Sequence, residues 1–576
     1  MELSILARNA SAPGRRRVFL VALSVFTCFS SGAQAEPFID QQQQHIKTQQ
    51  SAKEAQLTPD APDITLSEHR QPDAEGPFPQ ETPCFLINHV QLMGREAFPH
   101  WFPAQRVADG AKGHCLGVKG INQLMSRLQN RLVDRGWVTS RVLIPEQDLS
   151  SGTLTVALVP GRVRDIRYAD GSDKRAVLYT SIPAREGALL DLRDIEQGLE
   201  NQQRLPTVQD NMEIVPGDNP GESDVVISRR QSKIWRVNLW ADDSGTKSTG
   251  RYQGGAMLAL DNPFALSDLF YVSASHDLGF QGHEQSKNIN GHYSLPLGYW
   301  LFEVNAGQYN YVQNVAGFNG DIRYSGKSKN LNAGLSRVIQ RNASGKTTLR
   351  GSVLVREIRN YIDRTEIEVQ RRRTSAWLLG VDHRHYFGDV TVDGGVSFQR
   401  GTRWFGALPA YEEQYEDGYD ATEKSKILTL TAGLNWPFTL AKQTLSYQLN
   451  YLQQASSTPL TSPDQLAIGN RWTVRGFDGE RTLSASRGWY VQNTLAWRTP
   501  LPQQELYLGA DYGKVSGRSD GSTLLGHQLA GGVVGLRGTL SALGASYDAF
   551  SGMPIYKPQG FKTDPVTFGF SVSWQY

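Results

Sequence analysis

The final ten residues of the chain, Thr567 to Tyr576, alternate without interruption. Phe568, Phe570, Val572, Trp574 and Tyr576 fall on one face, and Thr567, Gly569, Ser571, Ser573 and Gln575 on the other. Side chains along a strand alternate with period two, so one face is aromatic and apolar while the other is small and polar. A soluble sandwich accommodates such a strand. A chain that ends on an aromatic residue and opens with a secretory leader fits the closing strand of a membrane β-barrel better, its apolar face toward lipid. Phe568, Phe570, Trp574 and Tyr576 are thus expected to form a carboxy-terminal barrel signal.

The leader is legible at the other end. Arg15, Arg16 and Arg17 precede a mostly apolar run from Val18 to Phe29, and Ala33-Gln34-Ala35 is a small-x-small cleavage site. Residues 1–35 read as a signal peptide with Glu36 as the first mature residue; the apolar run is short for an uncleaved anchor. Beyond it no apolar run approaches the ~20 residues of a membrane helix. With 39% hydrophobic residues and a mean hydropathy of −0.42, the chain is too polar for a helical membrane protein. Barrels escape such scales because half of each strand faces water. A net charge of +2 over 576 residues makes no case for nucleic acid as a partner. Cleavage leaves Cys84 and Cys115, an even pair in an oxidising compartment, for which a disulfide is expected. Two unpaired buried thiols are the alternative; two cysteines so spaced are not a zinc site.

Residues 36–56 are polar and rich in Gln (Gln41 to Gln44, Gln49, Gln50), with Ile39, Ile46 and Ala52 hardly forming a stripe. A helix polar on every side persists only if something surrounds it. Residues 57–83 carry Pro59, Pro62, Pro72, Pro77, Pro79 and Pro83 and read as a linker. Residues 84–160 form a first globular unit. It has a strand from Phe85 to Leu92 and a helix marked by Ile121, Leu124, Leu128 and Leu132 that ends at Gly136. Strands from Trp137 to Ile144 and Thr153 to Val159 follow. Residues 161–232 repeat that order: strand Val163 to Tyr168, a helix marked by Leu192, Ile195 and Leu199, then strands Val208 to Val215 and Asp224 to Ser228. Two successive β-α-β-β units are an internal repeat. From residue 233 to 576 short alternating runs such as Met257 to Leu260, Leu269 to Ser273, Trp300 to Ala306 and Leu506 to Tyr512 are separated by polar, Gly-rich turns. At ~10 residues per spanning strand plus turns, that length suits a barrel of about 16 strands. The fold class is mainly β: a transmembrane antiparallel barrel preceded by two α+β units.

Two motifs stand out in the barrel region. Val474-Arg475-Gly476-Phe477 lies in a long polar stretch at about 453–488, and Asp511-Tyr512-Gly513 ends the run Leu506 to Tyr512. Parity sends Leu506, Leu508, Ala510 and Tyr512 toward lipid and Tyr507, Gly509, Asp511 and Gly513 toward the lumen. A carboxylate flanked by glycines leaves room for a guanidinium, whose fork suits it. Spacing alone leaves two arrangements open: Arg475 paired with Asp511, or Arg475 exposed on a loop and Asp511 facing lumenal water.

With these motifs the chain resembles the outer-membrane transporters of two-partner secretion, the ShlB/FhaC/HecB group, which share a superfamily with the barrel-assembly protein BamA. Further family-like stretches occur in order. They are Trp137-Val138-Thr139-Ser140-Arg141, Pro145-Glu146-Gln147-Asp148-Leu149, Gly152-Thr153-Leu154, Arg204-Leu205-Pro206, Pro216-Gly217, Asp261-Asn262-Pro263 and Tyr293-Ser294-Leu295-Pro296. The resemblance implies that Val474, Arg475, Gly476 and Phe477 belong to a loop folded into the pore, with Arg475 anchored by Asp511 of the D-x-G motif that Gly513 completes. The chain departs in one place: many relatives carry an acid after the Asn of the next strand, where Asn493-Thr494 stands here. The resemblance also makes the two repeats POTRA domains in the periplasm and the Gln-rich segment a helix that plugs the barrel at rest.

The client is then expected to be a large secreted exoprotein of the TpsA type with an amino-terminal secretion domain: a haemolysin, an adhesin or a growth-inhibition toxin. The second unit is the expected docking place, around Leu192, Ile195, Leu199, Val208 and Ile214. Other expected partners are outer-membrane lipid and, during biogenesis, the barrel-assembly machinery and periplasmic chaperones; the protein is expected to be a monomer. No cofactor is implied. Gly532, Gly535 and Gly538 lack the strand-to-helix context of a phosphate loop. No Gly-x-Ser-x-Gly elbow or catalytic carboxylate pair appears, so an enzyme is not expected. His383 and His385 share a strand face but have only Asp382 and Asp389 nearby in sequence, and read as lumenal or interfacial residues rather than metal ligands. The rival reading, a BamA-like insertase, calls for more POTRA repeats and no plug helix.

Overall fold

The computed structural model describes residues 36–576 except 60, 67–69, 73–74, 280–284, 318–319, 415–420 and 518–524. The leader therefore lies outside the described residues. Sixteen antiparallel strands close the barrel, each bonded to its sequence neighbour. Closure comes from the first strand, Trp235–Asp242, which pairs with the last, Thr567–Gln575, from Asn238↔Gln575 to Asp242↔Ser571. The alternation in the sequence is the wall itself: Leu508 is 62% exposed and Phe568 67%, whereas Tyr507 and Asp511 are 5% and 3% exposed. Several strands exceed what a bilayer crossing needs: Gly320–Asn342 has 23 residues against ~10 for a tilted span. Between Gln443–Ser456 and Arg487–Arg498 the chain leaves the wall, so the pore loop begins and ends slightly inside its expected limits.

Both amino-terminal units have three-stranded sheets. In the first, Thr153–Val159 is central, parallel to His89–Met93 and antiparallel to Arg141–Leu143. The expected strand Phe85 to Leu92 is two pieces, Phe85–Leu86 and His89–Met93, and the first pairs with Cys115–Leu116. The Cys84–Cys115 disulfide closes that corner. Helix Val118–Val133 buries Leu124, Leu128 and Leu132 in the core, and Gly136 turns the chain out at φ 87°. In the second unit Glu222–Gln231 is central between Arg162–Tyr168 and Val208–Pro216. A short extra helix appears in each unit, Ala104–Ala108 and Leu178–Ser181, too brief to show a periodicity in the sequence.

The linker is laid along both units rather than free. Phe78 packs on the first core, and Ile64 and Leu66 on the second. Glu81 accepts from the backbone N–H groups of Gly117, Lys119 and Gly120 at 3.2, 2.8 and 2.6 Å. It caps helix Val118–Val133 from outside, because Gly117 at the cap position has no side chain to do so.

Where the units join, Asp191 caps helix Leu192–Gln203 by accepting from the Arg193 N–H at 2.8 Å, and the Leu192 N–H donates to the Gly136 carbonyl. Burial, then the neighbouring Asp194, pushes the Asp191 carboxyl up to about 7. An acid with a raised folded pKa contributes stability below its unfolded pKa of ~3.9, and that contribution is lost as pH rises through about 7. Asp191→Asn retains a capping oxygen and removes the titration. Hydrogen exchange of helix Leu192–Gln203 in the full-length protein should show equal protection for both forms near pH 4. By pH 8 the variant should be better protected, about tenfold or more.

Candidate functional site

Inside the wall, residues 457–486 fold back as a loop stiffened by a small hairpin, Leu466–Ile468 with Leu483–Ala485. At its tip Arg475 meets Asp511. The Arg475 Nε donates to Asp511 Oδ2 at 2.7 Å, its Nη2 to Oδ1 at 2.7 Å, and its backbone N–H to Oδ2 at 2.9 Å. Nη2 also donates to the Asn493 carbonyl and the Thr494 hydroxyl, both at 3.0 Å. Of the two arrangements that spacing left open, the paired one is adopted. Thr494 is the departure noted in the sequence, and its hydroxyl accepts from the same guanidinium, so a neutral residue completes the site.

Glycines make the approach possible. Gly476 adopts φ 97°, a left-handed conformation that favours glycine. A Cβ on Gly509 would lie 2.6 Å from Arg475 Nη2, and one on Gly531 would lie 1.8 Å from the Arg475 carbonyl oxygen. Gly513 likewise clears Val474. Beside the ion pair Val474 and Phe477 join Ile468, Leu483, Ala485, Val515, Leu529 and Phe561 in a buried apolar cluster, with Phe477 edge-on to Phe561 at 5.9 Å. Sequence reasoning missed Leu529 and Gly531, both on strand Gln528–Leu540, and Phe561, in the connection between the last two strands. Inward parity on neighbouring strands was the available signal, since Gly531 stands directly across from Asp511.

The Gln-rich segment is a helix, Glu36–Leu57, lying in the lumen between this loop and the wall. Gln44 donates to the Ser462 carbonyl at 2.7 Å, and Lys47 to the Pro463 carbonyl at 2.8 Å. On the wall side Gln42 donates to Thr249, Gln49 to Ser244, and Lys53 to Asp242 at 2.9 Å. His45 bonds the Ser244 carbonyl and stands edge-on to Trp472. Ile46 reaches a tyrosine cluster of Tyr309, Tyr311 and Tyr324. A largely polar helix is thus surrounded mostly by polar partners.

Three of the family-like stretches, those holding Arg204, Asp261 and Ser294, converge at the joint between the second unit and the barrel. Asp261 accepts from Arg236 at 2.8 and 3.0 Å and from Thr207 at 2.8 Å; Arg204 donates to the Ser267 carbonyl at 3.2 Å and also bonds Ser294. The residues singled out for client contact are packed inward. Leu192, Ile195 and Leu199 are buried, and Ile195, Leu199 and Ile214 belong to the second core or pack on it. Val208 clusters with Leu57, Leu205 and Trp240. A hydrophobic triplet at helical spacing serves the core first; those side chains do not face outward. His383 and His385 lie on the outward face with Leu379 and Val381, while Asp382 takes the opposite parity. No cluster of metal-ligating side chains occurs among the described residues. Gly535 makes room for the inward side chain of Tyr507, and Gly538 for Gln504, which has the outward parity of Leu506.

Comparison with known proteins bears directly on this lumen. The family model for the haemolysin secretion/activation protein ShlB/FhaC/HecB matches residues 221–538. The chain belongs to this family. A ShlB-type POTRA model matches residues 85–161 and a second POTRA model residues 162–216. The chain is 36% identical over 567 residues to the outer membrane transporter CdiB-2 of Burkholderia pseudomallei, covering 93% of this chain and 94% of the relative. It is 29% identical over 450 residues to the hemolysin transporter protein ShlB of Serratia marcescens, covering 77% and 78%. The solved structure of CdiB from Escherichia coli aligns with a TM-score of 0.80 at 28% identity, covering 93% of this chain and 98% of that one. As a member of the ShlB/FhaC/HecB family the protein is a non-enzymatic outer-membrane transporter of two-partner secretion, with periplasmic POTRA domains and a secreted exoprotein as the family's partner.

Truncating either partner of a buried ion pair strands the other charge, at a cost of about 3–5 kcal/mol. Arg475→Ala and Asp511→Ala should each lower the unfolding midpoint of the barrel in detergent. The double variant should fall well short of the sum, because it strands neither charge.

Proposed function

We propose that this transporter receives an unfolded exoprotein of the haemolysin, adhesin or growth-inhibition toxin class at its POTRA domains and passes it outward through the barrel. No nucleotide takes part; folding of the client outside supplies direction. The observation that carries this reading is the way the lumen is filled. The Glu36–Leu57 helix is held mainly by side-chain hydrogen bonds, with apolar packing at Ile46 and Leu57. Each hydrogen bond is worth a net ~0.5–1.5 kcal/mol, because water replaces the partner when the helix leaves. A plug built this way is removable. The loop beside it, fixed by Arg475 and a buried apolar cluster, stays.

For recognition the second unit offers main chain rather than side chains. Val208–Pro216 is an edge strand bonded on one side only, to Glu222–Gln231. An extended client segment can add to such an edge through backbone hydrogen bonds, which tolerate varied sequence. Lipid surrounds the barrel, and the barrel-assembly machinery and periplasmic chaperones serve its biogenesis.

Co-expression with a TpsA-type exoprotein that the transporter accepts should place that exoprotein outside the cell. Arg475→Ala should reduce its appearance there at least tenfold with barrel levels unchanged; normal export would remove Arg475 from the mechanism. Deleting residues 36–56 should raise single-channel conductance in planar bilayers, and an unchanged conductance would rule out a plug.

A further inference from the structure

The connection between the lumenal helix and the first periplasmic unit runs through a clamp. Residues 61–66 are extended, with Ile64 and Leu66 turned toward the core of the second unit and Asp63 and Thr65 away from it. The Ile64 and Leu66 N–H groups donate to Glu200 Oε1 at 3.1 Å and Glu196 Oε1 at 2.8 Å, both on helix Leu192–Gln203. From the barrel side Arg341, at the end of strand Gly320–Asn342, donates to Glu196 at 3.1 Å, to Glu200 at 2.8 Å and to the Ile64 carbonyl. Asp63 pairs with Lys346 at 3.3 Å and with Arg384 at 2.5 Å. The periplasmic domain and the barrel rim thus grip one short stretch of linker from opposite sides.

The grip selects a chemistry. Around the stretch, four cations (Arg193, Arg341, Lys346, Arg384) face three acids (Glu196, Glu200, Asp393) besides Asp63. An occupant therefore has to bring a negative charge, followed by two apolar side chains two residues apart, as an extended chain presents them on one face. Asp63-Ile64-Thr65-Leu66 is such a segment.

The grip also limits the helix. Leu57 and Asp63 are joined by six peptide steps, at most ~21 Å of chain. The 22-residue helix is ~33 Å long. With Asp63 clamped at the rim, a helix drawn out along its axis still leaves about its first third inside the barrel. Withdrawal requires the clamp to open.

We propose that the groove between helix Leu192–Gln203 and the Arg341–Lys346 rim is a docking site for an extended client segment of the pattern acid, apolar, any, apolar. Residues 63–66 fill it at rest, and a client segment that displaces them unlatches the lumenal helix. The proposal rests on the transport reading above and adds the surface and the ligand chemistry.

Planar-bilayer recordings of the full-length protein test it. Asp63→Lys should raise the frequency of large-conductance openings several-fold, and adding Arg384→Glu to that chain should return it toward wild type. A synthetic peptide of residues 61–66 should raise openings of the wild type, and a scrambled peptide should not. Wild-type gating by Asp63→Lys, or a peptide no better than its scrambled form, overturns the proposal. The deletion of residues 36–56 separates the two readings. If it opens the channel while Asp63→Lys and the peptide do nothing, only the latch fails. If it changes nothing, the plug on which the transport reading depends fails with it.

Discussion

Backbone amides in hydrocarbon find no water to bond, so a sheet that crosses a bilayer has to satisfy all of them internally and close on itself. Here the pairing of Trp235–Asp242 with Thr567–Gln575 meets that requirement. Closure has a second consequence. A wall of sixteen tilted strands encloses a lumen too wide for its own side chains to fill. What occupies that space then decides whether the barrel is a sealed body or a gated passage.

Two occupants are held by different physics. The loop is fixed by an ion pair whose acid is buried and whose guanidinium is shared among a carboxylate, a carbonyl and a hydroxyl. Breaking one side of such a pair costs several kcal/mol, and the adjacent apolar cluster adds burial that lumenal water cannot replace. The helix is held mostly by neutral or part-exposed polar contacts, each individually small, with the Lys53–Asp242 ion pair the most shielded of them. The difference in strength divides the lumen into a part that stays and a part that can go. The same division appears at the periplasmic rim, where buried Glu196, Glu200 and Arg341 form a persistent framework and the linker segment crosses it.

Alternation in Thr567–Tyr576 and Leu506–Tyr512 revealed the wall, because one face of each strand meets lipid and that solvent tolerates few substitutions. The same parity placed Asp511 inward. Arg475 was harder, since a loop arginine bears no period; only the resemblance joined it to Asp511. The helical triplet Leu192, Ile195 and Leu199 was read correctly as a helix but credited with client contact, when its spacing reports burial alone. The prolines of residues 57–83 concealed the course of the segment: Ile64, Leu66 and Phe78 have no period and are spent one at a time on two different cores.

The sequence by itself determined the solvent of each segment: lipid and lumen for the alternating strands, enclosure for the polar helix, an oxidising compartment for the unit that carries Cys84 and Cys115. Those properties are local, carried by side-chain pattern over ten or twenty residues. Tertiary structure alone decided which distant groups share a space: Arg475 with Asp511 and Thr494, Glu81 with the start of another helix, Asp63 with Lys346 and Arg384. Charge pairs and caps act over a few ångströms and leave no periodic trace along the chain, so only the folded path brings them into range.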